Sequence, residues 1–225
     1  MSSLKPLTLY SHPTGPNPWK VAIILEELNL PYDTKMVEMS NLKKPPFNTE
    51  ITLNGRVPAI IDSNNNNLTL WESGAIVQYL IDTYDKDHKI SYPPSSPENF
   101  LCYQWLHFQM SGQGPYYGQA YWFAKYHPEK VPSAVERYVK ETERVIGVLD
   151  THLQKGRTEF LVGNKCTYAD LAFVPWALLV PVIAEDSPID VEGKYPHYDQ
   201  WLKRVCEREA VKKVLDDKAR ISEKK

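Results

Sequence analysis

The stretch Tyr92-Pro93-Pro94-Ser95-Ser96-Pro97 cannot lie inside a helix or a central strand, because proline lacks the N–H that either ladder needs. It forces a break, and the hydrophobic rhythm changes across it. Downstream, Val135, Tyr138, Thr142, Val145 and Leu149 step by three and four, with Val139, Ile146 and Leu153 beside them, so this half reads as helical. Upstream, strand and helix signals alternate. These rhythms place one domain at residues 1–85, a linker at 86–97 and an all-helical domain at 98–225.

Within the first half, Leu7 to Tyr10 is a short apolar run, followed by the turn Ser11-His12-Pro13-Thr14-Gly15-Pro16-Asn17. Val21, Ile24, Leu25 and Leu28 then repeat at helical spacing, with Asn17 at the N-cap position and Pro18 in the first turn. A second strand is expected over Thr34 to Met39. Pro58 to Asp62 and Leu68 to Trp71 flank the polar tract Ser63 to Asn67 as a hairpin, and a helix starts at Ser73 with Ile76, Val77, Leu80 and Tyr84 on one side. The order is β-α-β, then β-β-α.

Composition excludes several classes of function. Lysine and arginine number 26 against 28 acidic residues, for a net charge of −2, and the basic residues are dispersed; no nucleic-acid partner is expected. Cys102, Cys166 and Cys206 are odd in number and widely separated, which argues against a disulfide framework or an internal dithiol. The histidines form no ligand spacing, so no metal is expected. No run approaches the roughly 18 apolar residues of a membrane span. Met1-Ser2-Ser3-Leu4-Lys5-Pro6 lacks an apolar signal core, so the expectation is a cytoplasmic protein without a membrane partner.

Two segments carry chemistry: Arg56-Val57-Pro58-Ala59 and Trp71-Glu72-Ser73-Gly74-Ala75-Ile76. With a cis bond before Pro58, Val57 turns its N–H and C=O outward, where they can pair with a short extended ligand. Ser73 opens a helix whose unsatisfied N–H groups and positive dipole end invite a carboxylate, while Glu72 attracts an amine. One amine and one carboxylate on a peptide describe a glutamyl group.

These segments resemble the cis-proline and γ-glutamyl motifs of the cytosolic glutathione transferases, an α/β thioredoxin-like N-terminal domain followed by an all-α C-terminal domain. Leu161 to Ala172 is similar to the family's capping-box helix: Thr167 would cap the N3 amide, Asp170 would return to the Thr167 amide, and Cys166 would pack on Leu171. Ser11-His12, Pro16-Asn17, Gly118-Gln119, Ala134 to Tyr138 and Ala169 to Trp176 look like the fungal nitrogen-catabolite-regulator-like subgroup and its bacterial Nu-class disulfide-reductase relatives. The regulator itself carries a long Asn/Gln-rich arm before the folded part. This chain starts almost at its first strand, which favours the expectation of an enzyme.

The resemblance implies glutathione as co-substrate, with Val57 and Pro58 at its cysteinyl backbone, Glu72 and Ser73 at the γ-glutamyl end, and Lys43 or Lys44 at the glycyl carboxylate. It places Asn17 near the sulfur, with Tyr10 and Ser11 as competing thiolate donors. Arg137 corresponds to a residue that reaches glutathione in bacterial relatives; the alternative is an intrachain pair with Glu141. No cysteine lies between Ser11 and Lys20, so a mixed disulfide through a protein thiol there is not available. A thiol of pKa about 8.5 needs roughly 2.7 kcal/mol of thiolate stabilisation to fall by about two units. A hydrogen bond to a charge contributes about 1.5–3 kcal/mol, which Asn17 at a helix start approximately meets.

The aromatic stretch Met110 to Phe123, broken by glycine and proline, is expected to form a kinked helix beside the second-substrate pocket, with Tyr116, Tyr117 and Trp122 lining it. His12 is a candidate to polarise a substrate, against a structural role. The implied activity is conjugation of the glutathione thiolate to small electrophiles, or glutathione-dependent reduction of peroxides or disulfides. The alternative is a regulatory binding protein of this fold with little turnover. The family implies a homodimer.

Overall fold

The computed structural model describes residues 4–223. The described residues form two compact units: one holds residues 4–90 together with 207–223, the other holds Ser91–Cys206.

In the first unit, β1 (Leu7–Ser11), β2 (Tyr32–Met36), β3 (Ala59–Asp62) and β4 (Leu68–Trp71) make one sheet in the order β2-β1-β3-β4. β1 runs parallel to β2 and antiparallel to β3, and β3 is antiparallel to β4. With α1 (Pro16–Glu27) crossing between β1 and β2, and α2 (Ser73–Tyr84) following β4, this is the thioredoxin-like arrangement. Leu7, Leu9, Ile60, Val21, Ile24, Leu25, Ile76 and Leu80 form its core.

Two boundaries differ from expectation. β2 lies over Tyr32–Met36 rather than 34–39, because its parallel register sets Leu7 beside Tyr32 and Ser11 beside Met36. α1 starts at Pro16 with Gly15 as its N-cap, so Asn17 sits in the first turn instead of capping it. Proline is tolerated in that turn, where the N–H has no helical acceptor.

Residues beyond the expected end at 85 also stay with the first unit. The Asp85 carboxylate accepts from the amides of Lys89 at 2.7 Å and Ile90 at 3.1 Å, which folds that segment back. At the other end, α10 (Glu209–Glu223) packs on α1, burying Val211 and Val214. Lys213 bridges to Glu26 at 2.6 Å and Arg208 reaches Glu27 through both carboxylate oxygens. The helical domain expected over 98–225 thus loses its last helix to the first unit, because an amphipathic stripe does not name the surface it covers.

The second unit is helical: α3 (Pro97–Phe108), α4 (Gly114–Lys125), α5 (Pro132–Gly156), α6 (Tyr168–Ala177), the short α7 (Val180–Ile183) and α8 (Val191–Lys194), and α9 (Pro196–Cys206). A π turn over Gln109–Gln113 joins α3 to α4. It is held by buried Gln109, which donates to Gln113 at 3.0 Å, and by Gln113, which donates to the Phe173 carbonyl at 3.1 Å. The capping box of α6 is present. The wholly buried Asp170 carboxylate accepts from the amides of Thr167 (2.9 Å) and Leu161 (2.8 Å), the Thr167 hydroxyl (3.0 Å) and the Trp201 indole (2.9 Å). Cys166 and Leu171 are buried beside that cap. Among the described residues, no helix is long and apolar enough to cross a membrane.

Candidate functional site

The β3–β4 ladder brings the two sequence motifs together. Ala59, directly after the cis Val57–Pro58 bond, pairs with Trp71, directly before Glu72. Val57 precedes the ladder, half-buried, and Pro58 is buried.

One residue separates β4 from α2, and it carries the reversal: Glu72 has φ 71° and ψ 111°. This left-handed backbone is unusual for a residue with a side chain and costs about 1–3 kcal/mol, strain that a structure retains where a side chain must be aimed. The exposed Glu72 carboxylate accepts a hydrogen bond from the Asn54 amide at 3.3 Å. The Asn54 carbonyl in turn accepts from the Lys43 amine. Lys43 is therefore tied to the loop before the cis proline; Lys44 beside it is exposed. Gly55 holds these strands of chain in close approach, with φ +58° and a position where a Cβ would lie 2.6 Å from the Leu42 carbonyl oxygen.

On the other side of Glu72, Ser73 is 3% exposed and its hydroxyl accepts from the amine of Lys20 at 3.0 Å. Lys20 is wholly buried on α1, three residues after the half-buried Asn17 and so on the same side of that helix. Burial lowers the Lys20 ammonium to about 7, opposed by the field of Glu72. Sequence reading passed over Lys20. The signal that could have found it is a lysine inside the apolar run Trp19 to Leu25, where a solvent-facing position is improbable.

The site therefore presents a carboxylate, a hydroxyl backed by a buried amine, the first amides of a 12-residue helix, and a backbone segment outside the ladder. Of the other residues near the first turn, His12 is 7% exposed, and its Nδ1 lies 3.1 Å from the Thr14 hydroxyl and 3.3 Å from the Thr14 amide. Tyr10 lies on the sheet with its ring edge-on to Phe47 at 5.6 Å, and Ser11 is buried at the end of β1.

Comparison with known proteins gives this geometry a lineage. The family model described as "Glutathione S-transferase, N-terminal domain" matches residues 5–82, and that described as "Glutathione S-transferase, C-terminal domain" matches residues 114–209. The chain belongs to the glutathione S-transferase family. It is 53% identical to the glutathione S-transferase-like protein gedE of Aspergillus terreus, over 96% of each chain. Among solved structures it resembles the glutathione transferase URE2P6 of Phanerochaete chrysosporium in complex with oxidized glutathione, with TM-score 0.91 and 49% identity over 96% of this chain and 98% of that one. It also resembles Ure2p in complex with glutathione, with TM-score 0.86 and 37% identity over 95% of this chain and 100% of that one. The family uses glutathione as co-substrate. Among the described residues no cluster of three or more His, Cys, Asp or Glu side chains could hold a metal ion.

The remaining expected site residues lie on the helical unit. Arg137 is exposed on α5 with its guanidinium 6.0 Å from the Tyr138 ring centroid. The alternative pairing with Glu141 is not formed; Glu141 accepts from Arg144 at 2.7 Å instead. Tyr116 is half-buried with its ring 6.4 Å from that of Tyr138, and Trp122 is 47% exposed, its ring 6.0 Å from Tyr126. Tyr117 is a correction: it is 0% exposed and its hydroxyl donates to the Thr142 carbonyl at 3.4 Å, so it fills the core between α4 and α5 instead of lining a pocket.

Proposed function

We propose that this protein is a glutathione-dependent enzyme that stabilises the glutathione thiolate for attack on a small electrophile, a peroxide or a disulfide. The observation that carries the reading is Glu72, held in a left-handed conformation between β4 and α2 with Asn54 on one side and the Lys20–Ser73 pair on the other.

The donor set fits the tripeptide. Glu72 receives the γ-glutamyl amine; the Ser73 hydroxyl and the first amides of α2 receive its carboxylate; Val57 pairs with the cysteinyl backbone ahead of Pro58. Glutathione supplies the nucleophilic sulfur. Asn17, in the first turn of α1, donates its amide N–H to that sulfur and cannot remove its proton, so its role is to favour the thiolate and orient it. Lys43 and Lys44 are placed at the glycyl end, and Arg137, Tyr116 and Trp122 keep their proposed ligand roles.

The glutathione and oxidized glutathione carried by the related structures support the choice of ligand. With no cysteine on the segment from Ser11 to Lys20, disulfide reduction proceeds through two glutathione molecules, leaving oxidised glutathione as product. The proposed working form is a cytosolic homodimer.

The test is turnover of purified protein with a chloronitrobenzene, cumene hydroperoxide and hydroxyethyl disulfide, each with glutathione. Glutathione-dependent turnover of at least one is expected. Binding of glutathione with no turnover on all three would establish a binding protein in place of an enzyme.

A further inference from the structure

We propose that Trp19 is a positioning residue for thiolate stabilisation: its indole fastens the turn ahead of α1 to the body of that helix and so holds Asn17 against the glutathione sulfur. This rests on the reading of Asn17 as the thiolate donor.

The start of α1 lacks the usual fastenings. Gly15, its N-cap, has no side chain to offer, and no acidic residue stands in the first turn. Within the preceding turn, the Thr14 amide donates to His12 Nδ1 and the Gly15 amide to the His12 carbonyl, each at 3.3 Å, the long end for such bonds. On the strand side the turn is anchored at Ser11, whose carbonyl accepts from the Val37 amide at 2.9 Å. On the helix side the tie is Trp19, whose Nε1 donates to the Pro13 carbonyl at 3.0 Å.

Burial makes that bond matter. Trp19 is 5% exposed and Pro13 is buried, so water does not readily take over the carbonyl when the indole is lost. A buried carbonyl left unpaired drives the turn to shift toward another donor, and the first helical turn shifts with it. Asn17 stands in that helical turn, half-buried. Trp19 follows it by two residues, about 200° around the helix, so the indole acts on the ligand through Asn17. In an oriented site a misplacement of about 1 Å costs up to about a hundred-fold.

The test is the ultraviolet thiolate absorbance of bound glutathione against pH, with calorimetric affinity beside it. Trp19→Phe keeps an aromatic ring and loses the donor. It is expected to raise the bound thiol pKa by about half to one unit, roughly a three- to ten-fold loss of thiolate below that pKa, with affinity within about two-fold. Trp19→His removes more of the ring but can set a donor nitrogen where the indole nitrogen stands, and should return the pKa toward wild type. A packing role predicts the opposite order, so a histidine variant no better than the phenylalanine one overturns the proposal. In an Asn17→Ala background, Trp19→Phe should lose most of its effect, because the two residues act as one unit; full additivity overturns the assignment.

The possible failures are distinguishable. Asn17→Ala that raises the pKa, beside Trp19→Phe that does not, refutes the role of Trp19 alone. Asn17→Ala without effect refutes the reading of Asn17 and this proposal with it. Should Trp19→Phe fail to fold, hydrogen exchange of the Trp19 indole N–H in the wild type decides: slowing by at least about a hundred-fold is expected, and the rate of an exposed indole overturns the tie.

Discussion

Asn54 donates its side-chain amide to the Glu72 carboxylate across 3.3 Å, joining the loop before the cis Pro58 to the residue that precedes α2. The contact aims a carboxylate that its own strained backbone already turns outward. Removing the charge should therefore matter more than removing its support. Glu72→Gln is expected to weaken glutathione binding by roughly ten- to hundred-fold, the range of a charge-assisted hydrogen bond, and Asn54→Ala by a few-fold. Calorimetry on both variants checks the order; equal losses would mean that Asn54 itself contacts the ligand.

Asn17 in the first turn of α1 is expected to act on the sulfur alone. Asn17→Ala should raise the pKa of bound glutathione by about one to two units while leaving its affinity within a few-fold. Thiolate absorbance in the ultraviolet against pH reads this directly. An unchanged pKa removes Asn17 from the mechanism and returns attention to Ser11 and Tyr10.

Stability should carry the signature of Lys20. Its folded pKa, about 7, lies below the value of 10.5 for an ordinary lysine, so the unfolded chain holds more protons between those limits. Stability contributed by this residue therefore rises with pH across that window. Between about pH 7 and pH 9 the wild type should gain on the order of 2 kcal/mol relative to Lys20→Met. Urea unfolding of both proteins at the two pH values measures the gain, and a constant difference would contradict a neutralised lysine.

At Gly55 the backbone is left-handed and a Cβ would stand 2.6 Å from the Leu42 carbonyl oxygen and 2.8 Å from the Lys43 side chain. Gly55→Ala should destabilise the protein by about 1–3 kcal/mol and weaken glutathione binding, because Asn54 moves with it. Thermal unfolding and calorimetry provide the readouts; a wild-type melting temperature would show that the loop relaxes freely.

In the helical unit, Asp170 gathers donors from Thr167, Leu161 and Trp201 in a wholly buried position. Asp170→Ala leaves those donors without an acceptor and is expected to cost about 3–5 kcal/mol. Denaturant unfolding should show the loss. Trp201→Phe, which removes one donor and keeps the ring, should cost about 1–2 kcal/mol.

The sequence by itself determined the element types, the break at Tyr92 to Pro97 and the identities of the two motifs at Pro58 and Glu72-Ser73. These follow from local rules: proline cannot join a ladder, apolar residues repeat with the period of their element, and polar residues at a helix start meet unpaired amides. The thioredoxin-like order of the first half and the capping box of α6 were legible for the same reason. Tertiary structure decided what depends on partners distant in sequence. The parallel register with β1 set the limits of β2, packing on α1 claimed α10 for the first unit, and burial between α4 and α5 made Tyr117 a core residue. It also brought the buried Lys20 amine within 3.0 Å of the Ser73 hydroxyl, between residues 53 positions apart. Periodicity reports which side of an element is apolar, but only the folded chain decides what that side meets.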